Sequence, residues 1–279
     1  MSRKIFDVVV PLGKVHELTE QAIESALSQS CVNCVFVVVN GKYPGQEILN
    51  LRERFADNIK CESLKIIVDF SLQNANQARN LGISSAQSDW VAFLDSDDQW
   101  AEGWLECVMG EINKEPGAEM FYSSTVGRSK KGIKKVKLAT DWKKFQTPEH
   151  YVTSGGSAQS SGFVVKRRLL DSLRWRHDVS RRQDWLFFID AVRAGLNLKP
   201  IEGAYVIKGR DPAARSYESS DILIFVSALV GKVPFSVFLR HAARLVRTSR
   251  RKPLMILQIA TLVFSVRHIQ WYLSSRPRA

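Results

Sequence analysis

The chain has 279 residues, 45% of them hydrophobic and 24% charged, with 16 Gly, 9 Pro and 4 Cys. That balance excludes a disordered, collagen-like or disulfide-stapled chain, and the length is enough to bury a substantial core. The formal net charge of +12 is high and unevenly placed: ten Lys and Arg and no acid follow Asp221, leaving +2 for residues 1–221.

The first element is an apolar run, Ile5–Val10, read as a strand that breaks at Pro11. Arg3 and Lys4 precede it, but the run is short and interrupted by Asp7, so no secretory signal is expected. Leu18, Ala22, Ile23, Ala26 and Leu27 share one helical face. Cys31 and Cys34 form a C-x-x-C, but no second pair completes a zinc site and the pair enters a strand, so it is read as incidental. Val35–Val39 is a second strand, closed by the turn signal Asn40-Gly41, and Leu64–Val68 is a third. Strands alternating with helical patterns predict βαβ units and a parallel sheet.

Residues 73–94 hold a small-residue helix (Ala75, Ala78, Leu81, Gly82, Ala86) and then another apolar strand. That strand runs directly into Asp95-Ser96-Asp97-Asp98. Carboxylates crowded at the carboxyl end of a parallel strand repel one another unless a cation sits among them. Hard divalent ions take such oxygen ligands, Mg²⁺ commonly with substrate phosphates. Asp98 could alternatively cap a helix over Trp100–Ile112.

Ala78-Arg79-Asn80-Leu81-Gly82-Ile83 followed by Leu94-Asp95-Ser96-Asp97-Asp98 resembles the family 2 glycosyltransferases. The resemblance implies the GT-A fold: an α/β protein with a mostly parallel sheet flanked by helices, here carrying a basic helical C-terminal appendage. It implies a divalent cofactor, Mn²⁺ or Mg²⁺, held mainly by Asp97 with Asp95, and a nucleotide diphosphate sugar as donor. Pro11, Asn40, Arg79, Asp95 and Ser96 are the donor-binding positions that it implies, with Arg79 facing the nucleotide as a fixed cation. In its first 100 residues the chain departs from the family pattern in three places, and later Gln183 replaces the more usual Glu. Pro11-Leu12-Gly13-Lys14 lacks the usual aromatic after the first strand. Asn40-Gly41-Lys42 lacks the usual acid after the second, and Ala75-Asn76 stands where Asn-x-Gly is usual.

Glu119–Val126 reads as a further strand, and the basic run 127–137 as a solvated loop or hairpin. Ser154-Gly155-Gly156-Ser157 is expected to be flexible, and Ser161–Lys166 to be a strand leading into a helix over Arg167–Leu173. Over residues 181–195, Trp185, Phe188, Ile189 and Val192 make an apolar helical face that ends at Gly195. Asp184 stands at its start, where it could cap the helix. In the resembled family the same position carries the base that takes the acceptor's hydroxyl proton, so the resemblance makes Asp184 catalytic. Arg210, Arg215 and Ser216, after the strand Ala204–Lys208, fall where that family often carries a basic segment over the diphosphate.

These readings divide the chain into a catalytic domain over residues 1–217 and a basic amphipathic tail over 218–279. The domain comprises a nucleotide-sugar half (1–100) and an acceptor half (101–217). No stretch reaches the roughly 18–20 apolar residues of a transmembrane helix. Arg240, Arg244, Arg247 and Arg251 recur every three or four residues beside apolar groups, so the tail is expected to rest on an anionic membrane surface. The expected location is the cytoplasmic face of the cell membrane. The expected acceptor is a saccharide or lipid-linked saccharide of bacterial surface-polysaccharide synthesis, and no nucleic acid is expected. Two alternatives stay open: a nucleotidyltransferase on a related sheet, and a non-catalytic membrane- or nucleic-acid-binding relative.

Overall fold

A computed structural model of the chain describes residues 5–40, 45–129, 132–179, 182–209, 229, 232–248 and 261. It divides into two compact units, Met1–Asp141 with Ser157–Ala213, and Trp142–Gly156 with Ala214–Ala279. The first unit is a nine-stranded mixed sheet with helices. Its strands are β1 (Phe6–Leu12), β2 (Val32–Asn40), β3 (Leu64–Asp69), β4 (Trp90–Phe93), β5 (Gln99–Trp100), β6 (Met120–Ser129), β7 (Gly132–Lys137), β8 (Phe163–Lys166) and β9 (Leu198–Lys208). They run in the order β3-β2-β1-β4-β8-β6-β9-β5, with β7 on β6. β1 to β4 are parallel to one another, as the alternating pattern predicts, whereas β8 enters antiparallel between β4 and β6.

β1, β2 and β4 are buried along nearly their whole length, which is why they read as continuous apolar runs rather than alternating ones, whereas the outer strand β3 is only partly buried. α1 (Thr19–Leu27) and α4 (Ala75–Ser85) cover this half of the sheet, and α2 (Gly45–Arg54) and α3 (Ala56–Lys60) connect β2 to β3. α4 starts with Asn74 as its cap, whose side chain accepts from the backbone N–H groups of Asn76 and Gln77. Gly82 brings α4 onto β1: a Cβ there would fall 2.4 Å from a methyl of Val9. Such a contact cannot exist, so glycine at 82 sets the helix-to-sheet distance.

Pro11 does not end the first strand, which continues to Leu12. Val9 C=O accepts from Leu94 N–H at 3.1 Å, so the alternating residue Pro11 faces the same side, beyond the last β4 pair, Val9 with Phe93. Its missing N–H therefore breaks no ladder. The expected helix over Trp100–Ile112 also shifts. Gln99–Trp100 pairs antiparallel with β9, and α5 (Trp104–Lys114) begins only after Gly103, whose φ of +71° suits glycine. Trp100 and Trp104 stack at 4.4 Å across that break. The basic run is a hairpin, β6 with β7, and Arg167–Asp171 forms a 3₁₀ turn rather than an α-helix.

Below the carboxyl end of β4 lies an aromatic cluster. Phe93 meets Trp175 edge-on at 5.3 Å, and Trp175 stacks on Phe187 at 4.1 Å. Phe187 belongs to α7 (Gln183–Arg193), whose end is marked by Gly195 at φ +80°. Ser157, expected to be flexible, is fully buried and donates to Ser123 C=O at 2.8 Å.

The second unit contains α6 (Pro148–Thr153) and α8 (Phe235–Thr248). α6 is capped by Thr147, and Gly156 packs against the Tyr151 ring so closely that a Cβ would fall 2.4 Å from it. On α8, Val237 and Phe238 are buried while Leu239 and Arg240 are exposed. Among the described residues no helix is long and apolar enough to cross a membrane. Arg210, Arg215, Ser216, Gly41, Lys42, Arg250, Arg251 and Leu254–Val266 apart from Thr261 lie outside the described residues.

Candidate active site

The site is built on the turn that follows β4. Leu94 remains hydrogen-bonded to β1, and the chain then turns through Asp95, Ser96, Asp97 and Asp98, with Asp98 N–H donating to Asp95 C=O at 3.0 Å. Carboxylate oxygens of Asp95, Asp97 and Asp98 lie within 4.8 Å of one another. That crowding is held by partners the protein itself supplies.

Asp95 Oδ1 accepts from Arg79 at 2.6 Å and Oδ2 from Ser160 Oγ at 2.7 Å, while its N–H donates to Ser161 Oγ at 3.1 Å. Burial alone would raise this carboxyl. The charges of Arg79 and Lys208, with the Arg79 and Ser160 hydrogen bonds, outweigh it and hold it at about 2. Arg79 is turned into the protein. It is 2% exposed, bonded to Asn76 Oδ1 at 2.9 Å and to Asp95, and laid over the Trp175 ring at 4.5 Å. Its short α4 turn and the neighbouring indole direct the guanidinium inward, so its charge acts on Asp95. The asparagines of α4 fix the loop that carries Trp175. Asn76 Nδ2 donates to Val179 C=O at 2.8 Å, and Asn80 exchanges two bonds with the Trp175 backbone at 2.8 and 3.0 Å.

Asp98 is not a helix cap. It is fully buried, and its carboxylate accepts from Lys208 Nζ, from Ser161 Oγ and from Gly209 N–H at 3.1 Å. Burial pushes this carboxyl up to about 6, with Asp95 and Asp97 adding to the rise and Lys208 opposing it. Burial would depress the Lys208 ammonium, but Asp98 and Asp95 outweigh it and raise its pKa. Lys208, Gly209, Ser160 and Ser161 were not legible as site residues. Lys208 closes a strand in the sequence, which is the one signal it carries.

Asp184 is the second residue of α7, half-buried, with Trp185 N–H bonded to its Oδ1 at 2.9 Å. Burial raises its pKa; the Trp185 hydrogen bond and Lys208 counteract, and Asp95 adds to the rise. Lys208 and Asp95 are among the charges that act on it, Asp95 lying 89 positions earlier in the chain. Arg182, just before α7, has φ +56°, an uncommon conformation for a side chain of this size, and lies 3.9 Å over the Trp185 ring.

The remaining expected positions line the neighbouring strand ends. Ser96 is half-buried inside the turn. Pro11 is buried within β1. Asn40 ends β2 opposite Asp69 of β3, and its Oδ1 is buried with no hydrogen-bond partner among the described residues. Cys31 and Cys34 are buried free thiols, in keeping with an incidental C-x-x-C.

The residues fit a hard divalent cation, since the donor set is all carboxylate oxygen. Both oxygens of Asp95 and both of Asp98 already accept from protein donors, and Asp97 is the third, half-buried member. The three carboxylates with Arg79 and Lys208 carry a formal charge of −1.

Residues 7–172 match the model of glycosyl transferase family 2. An uncharacterized glycosyltransferase of Haemophilus influenzae is 25% identical over 197 residues, covering 69% of this chain and 74% of that protein. The amylovoran biosynthesis glycosyltransferase AmsB of Erwinia amylovora is 26% identical over 197 residues, covering 68% and 64%. Among solved structures, S. aureus TarS residues 1–349 in complex with UDP-GlcNAc align with TM-score 0.62 at 15% identity, over 94% of this chain and 73% of that one. GalNAc-T7 with UDP, GalNAc and Mn²⁺ aligns with TM-score 0.59 at 12% identity, over 80% and 47%. These structures share the fold. The family match covers the whole Asp95–Asp98 turn and decides against the two alternatives: the chain belongs to glycosyl transferase family 2 and is a glycosyltransferase on the GT-A fold.

Proposed function

We propose that this enzyme transfers a sugar, with inversion, from a nucleotide diphosphate sugar to a hydroxyl of a saccharide or lipid-linked saccharide. One observation carries the reading: the carboxylates of Asp95, Asp97 and Asp98 converge within 4.8 Å at the end of β4, inside the stretch that matches the family, and Asp184 stands on a different element at the start of α7. A turn for the donor and a separate carboxylate for the acceptor are the two parts a single displacement needs. The fold likeness to TarS, solved in complex with UDP-GlcNAc, supports a nucleotide sugar, and the likeness to the amylovoran biosynthesis glycosyltransferase AmsB supports polysaccharide synthesis.

In this mechanism Asp97, with Asp95 beside it, holds Mn²⁺ or Mg²⁺. Such an ion supplies Lewis-acid stabilisation of the leaving diphosphate. Arg79 and Ser160 keep Asp95 ionised and in place. Asp184 accepts the acceptor's hydroxyl proton as that oxygen attacks the anomeric carbon from the face opposite the diphosphate. The C1–O bond to the diphosphate breaks as the new glycosidic bond forms, so an α-linked donor gives a β-linked product.

Asp184→Asn tests the base. A positioned base contributes on the order of 10²–10⁴-fold, so turnover should fall by that factor while calorimetric affinity for the donor stays within about twofold. Near-wild-type turnover would return Asp184 to a helix-capping role. The base works only when ionised. Because its pKa is raised above 3.8, the rate should fall on acidification at a higher pH than for an ordinary aspartate. That acid limb should vanish in Asp184→Asn.

The tail is proposed to hold the enzyme on an anionic cytoplasmic membrane surface. Exposed Leu239 and Arg240 on α8 support this, as does the run of ten basic residues with no acid after Asp221. Each surface-proximal basic residue adds about 1 kcal/mol there. Liposome co-sedimentation checks it: binding to anionic vesicles should weaken with salt, and indifference to such vesicles at low salt would make the tail structural.

A further inference from the structure

We propose that Lys208, with Gly209 behind it, is a positioning residue that seats the Asp95–Asp98 turn on β9 and so sets the place of Asp97 for a metal-borne diphosphate. The proposal rests on the reading of Asp97 as the principal metal ligand.

The argument begins with register. β5 runs antiparallel to β9, with Gln99 opposite Ile207 and Trp100 opposite Val206. One step further along that pairing, Asp98 meets Lys208. Asp98 Oδ2 accepts from Lys208 Nζ, and Oδ1 accepts from Gly209 N–H at 3.1 Å. Lys208 Nζ is also 3.9 Å from Asp95 Oδ2, so a single ammonium reaches both ends of the turn. β9 is itself a firm base, since it pairs with β6 from Met120–Leu198 through to Gly127–Lys208.

Gly209 separates seating from simple charge balance. A Cβ at this position would fall 1.6 Å from the Asp97 carbonyl oxygen and 2.8 Å from its carbonyl carbon. Backbone therefore lies directly on the Asp97 peptide, and no side chain fits between. Charge compensation of Asp98 would need only a nearby cation. The close approach at Gly209 brings no charge and acts on the Asp97 peptide itself, the residue read as the principal metal ligand. Asp97 thus has its main chain fixed by Gly209, with its neighbour Asp98 tied to Lys208.

Two variants test this from different sides. Gly209→Ala keeps every charge and displaces the turn. Asp98→Asn with Lys208→Met removes both members of the pair, so no buried charge is stranded. Each is read by hydrogen–deuterium exchange of the unliganded full-length protein across residues 94–100, and by calorimetry with Mn²⁺ and inorganic pyrophosphate, a probe independent of any base. Expected are faster exchange confined to 95–98, with β1 and β2 amides unchanged. Pyrophosphate affinity should fall about 10- to 100-fold, as for other groups that orient a metal ligand. Wild-type exchange in Gly209→Ala would overturn the seating. Faster exchange with unchanged affinity in both variants would make the clasp purely structural and overturn the positioning role. If the wild-type protein shows no Mn²⁺-dependent pyrophosphate binding, the metal reading of Asp97 falls. The exchange data then still judge whether β9 seats the turn.

Discussion

The carboxyl ends of β4 and β2 flank β1 on opposite sides, and they are finished in opposite ways. At the end of β4, four oxygens of two carboxylates are taken by Arg79, Ser160, Ser161, Lys208 and the Gly209 backbone. At the end of β2, Asn40 Oδ1 is buried and has no partner among the described residues. A buried acceptor without a partner costs about 1–3 kcal/mol. The β4 end is therefore preorganised by the protein, so little rearrangement is needed where charge develops. The β2 end keeps an open hydrogen bond at the place where an α/β sheet receives its ligand. The difference teaches that the β4 end is held by the protein's own partners whereas the β2 end keeps an acceptor unused by any described residue; in the proposed reading the first is the phosphate side and the second the base side.

Breaking the β4 end should have the larger consequences. Arg79→Leu removes the guanidinium from a nearly closed pair and leaves the Asp95 carboxylate with Ser160 and the more distant Lys208. Breaking a buried pair costs roughly 3–5 kcal/mol, to be read from the denaturant midpoint at neutral pH. A loss under about 1 kcal/mol would mean that Lys208 and Ser160 suffice for Asp95. Asp97→Ala leaves the Arg79–Asp95 and Lys208–Asp98 pairs in place. It should weaken Mn²⁺-dependent binding of a nucleoside diphosphate at least about 100-fold. Retained affinity in that variant would move the metal to another ligand.

The β2 end should respond more gently, and selectively. Asn40→Ala removes an acceptor that no described group uses, so folding stability should hold. Loss of one hydrogen bond to a bound base predicts a drop of about tenfold in nucleoside diphosphate affinity, with no change for pyrophosphate. Equal effects on the two probes would erase the division into a base side and a phosphate side.

Much of this molecule is written locally in the chain. Buried parallel strands are continuous apolar runs, so Val35–Val39 and Leu64–Val68 were readable, as was the run into Asp95-Ser96-Asp97-Asp98. The helix that begins near Asp184 and stops at Gly195 followed from its apolar period and its glycine. The GT-A fold and the transferase class were legible because a motif of contiguous residues carries them. What lay beyond the sequence is set by pairing at a distance. Arg79 belongs to the motif, yet its inward turn depends on Trp175, 96 residues later. Asp98 reads as a helix cap by local rules, because nothing near it announces Lys208, 110 residues on. Strand Leu198–Lys208 exceeds its readable part because its first residues, Leu198-Lys199-Pro200-Ile201-Glu202-Gly203, show no strand period and gain their place only by pairing with β6. Composition and period specify which face a segment buries. Which charged groups meet at the end of the sheet is decided by strand order and register, and only the folded chain contains those.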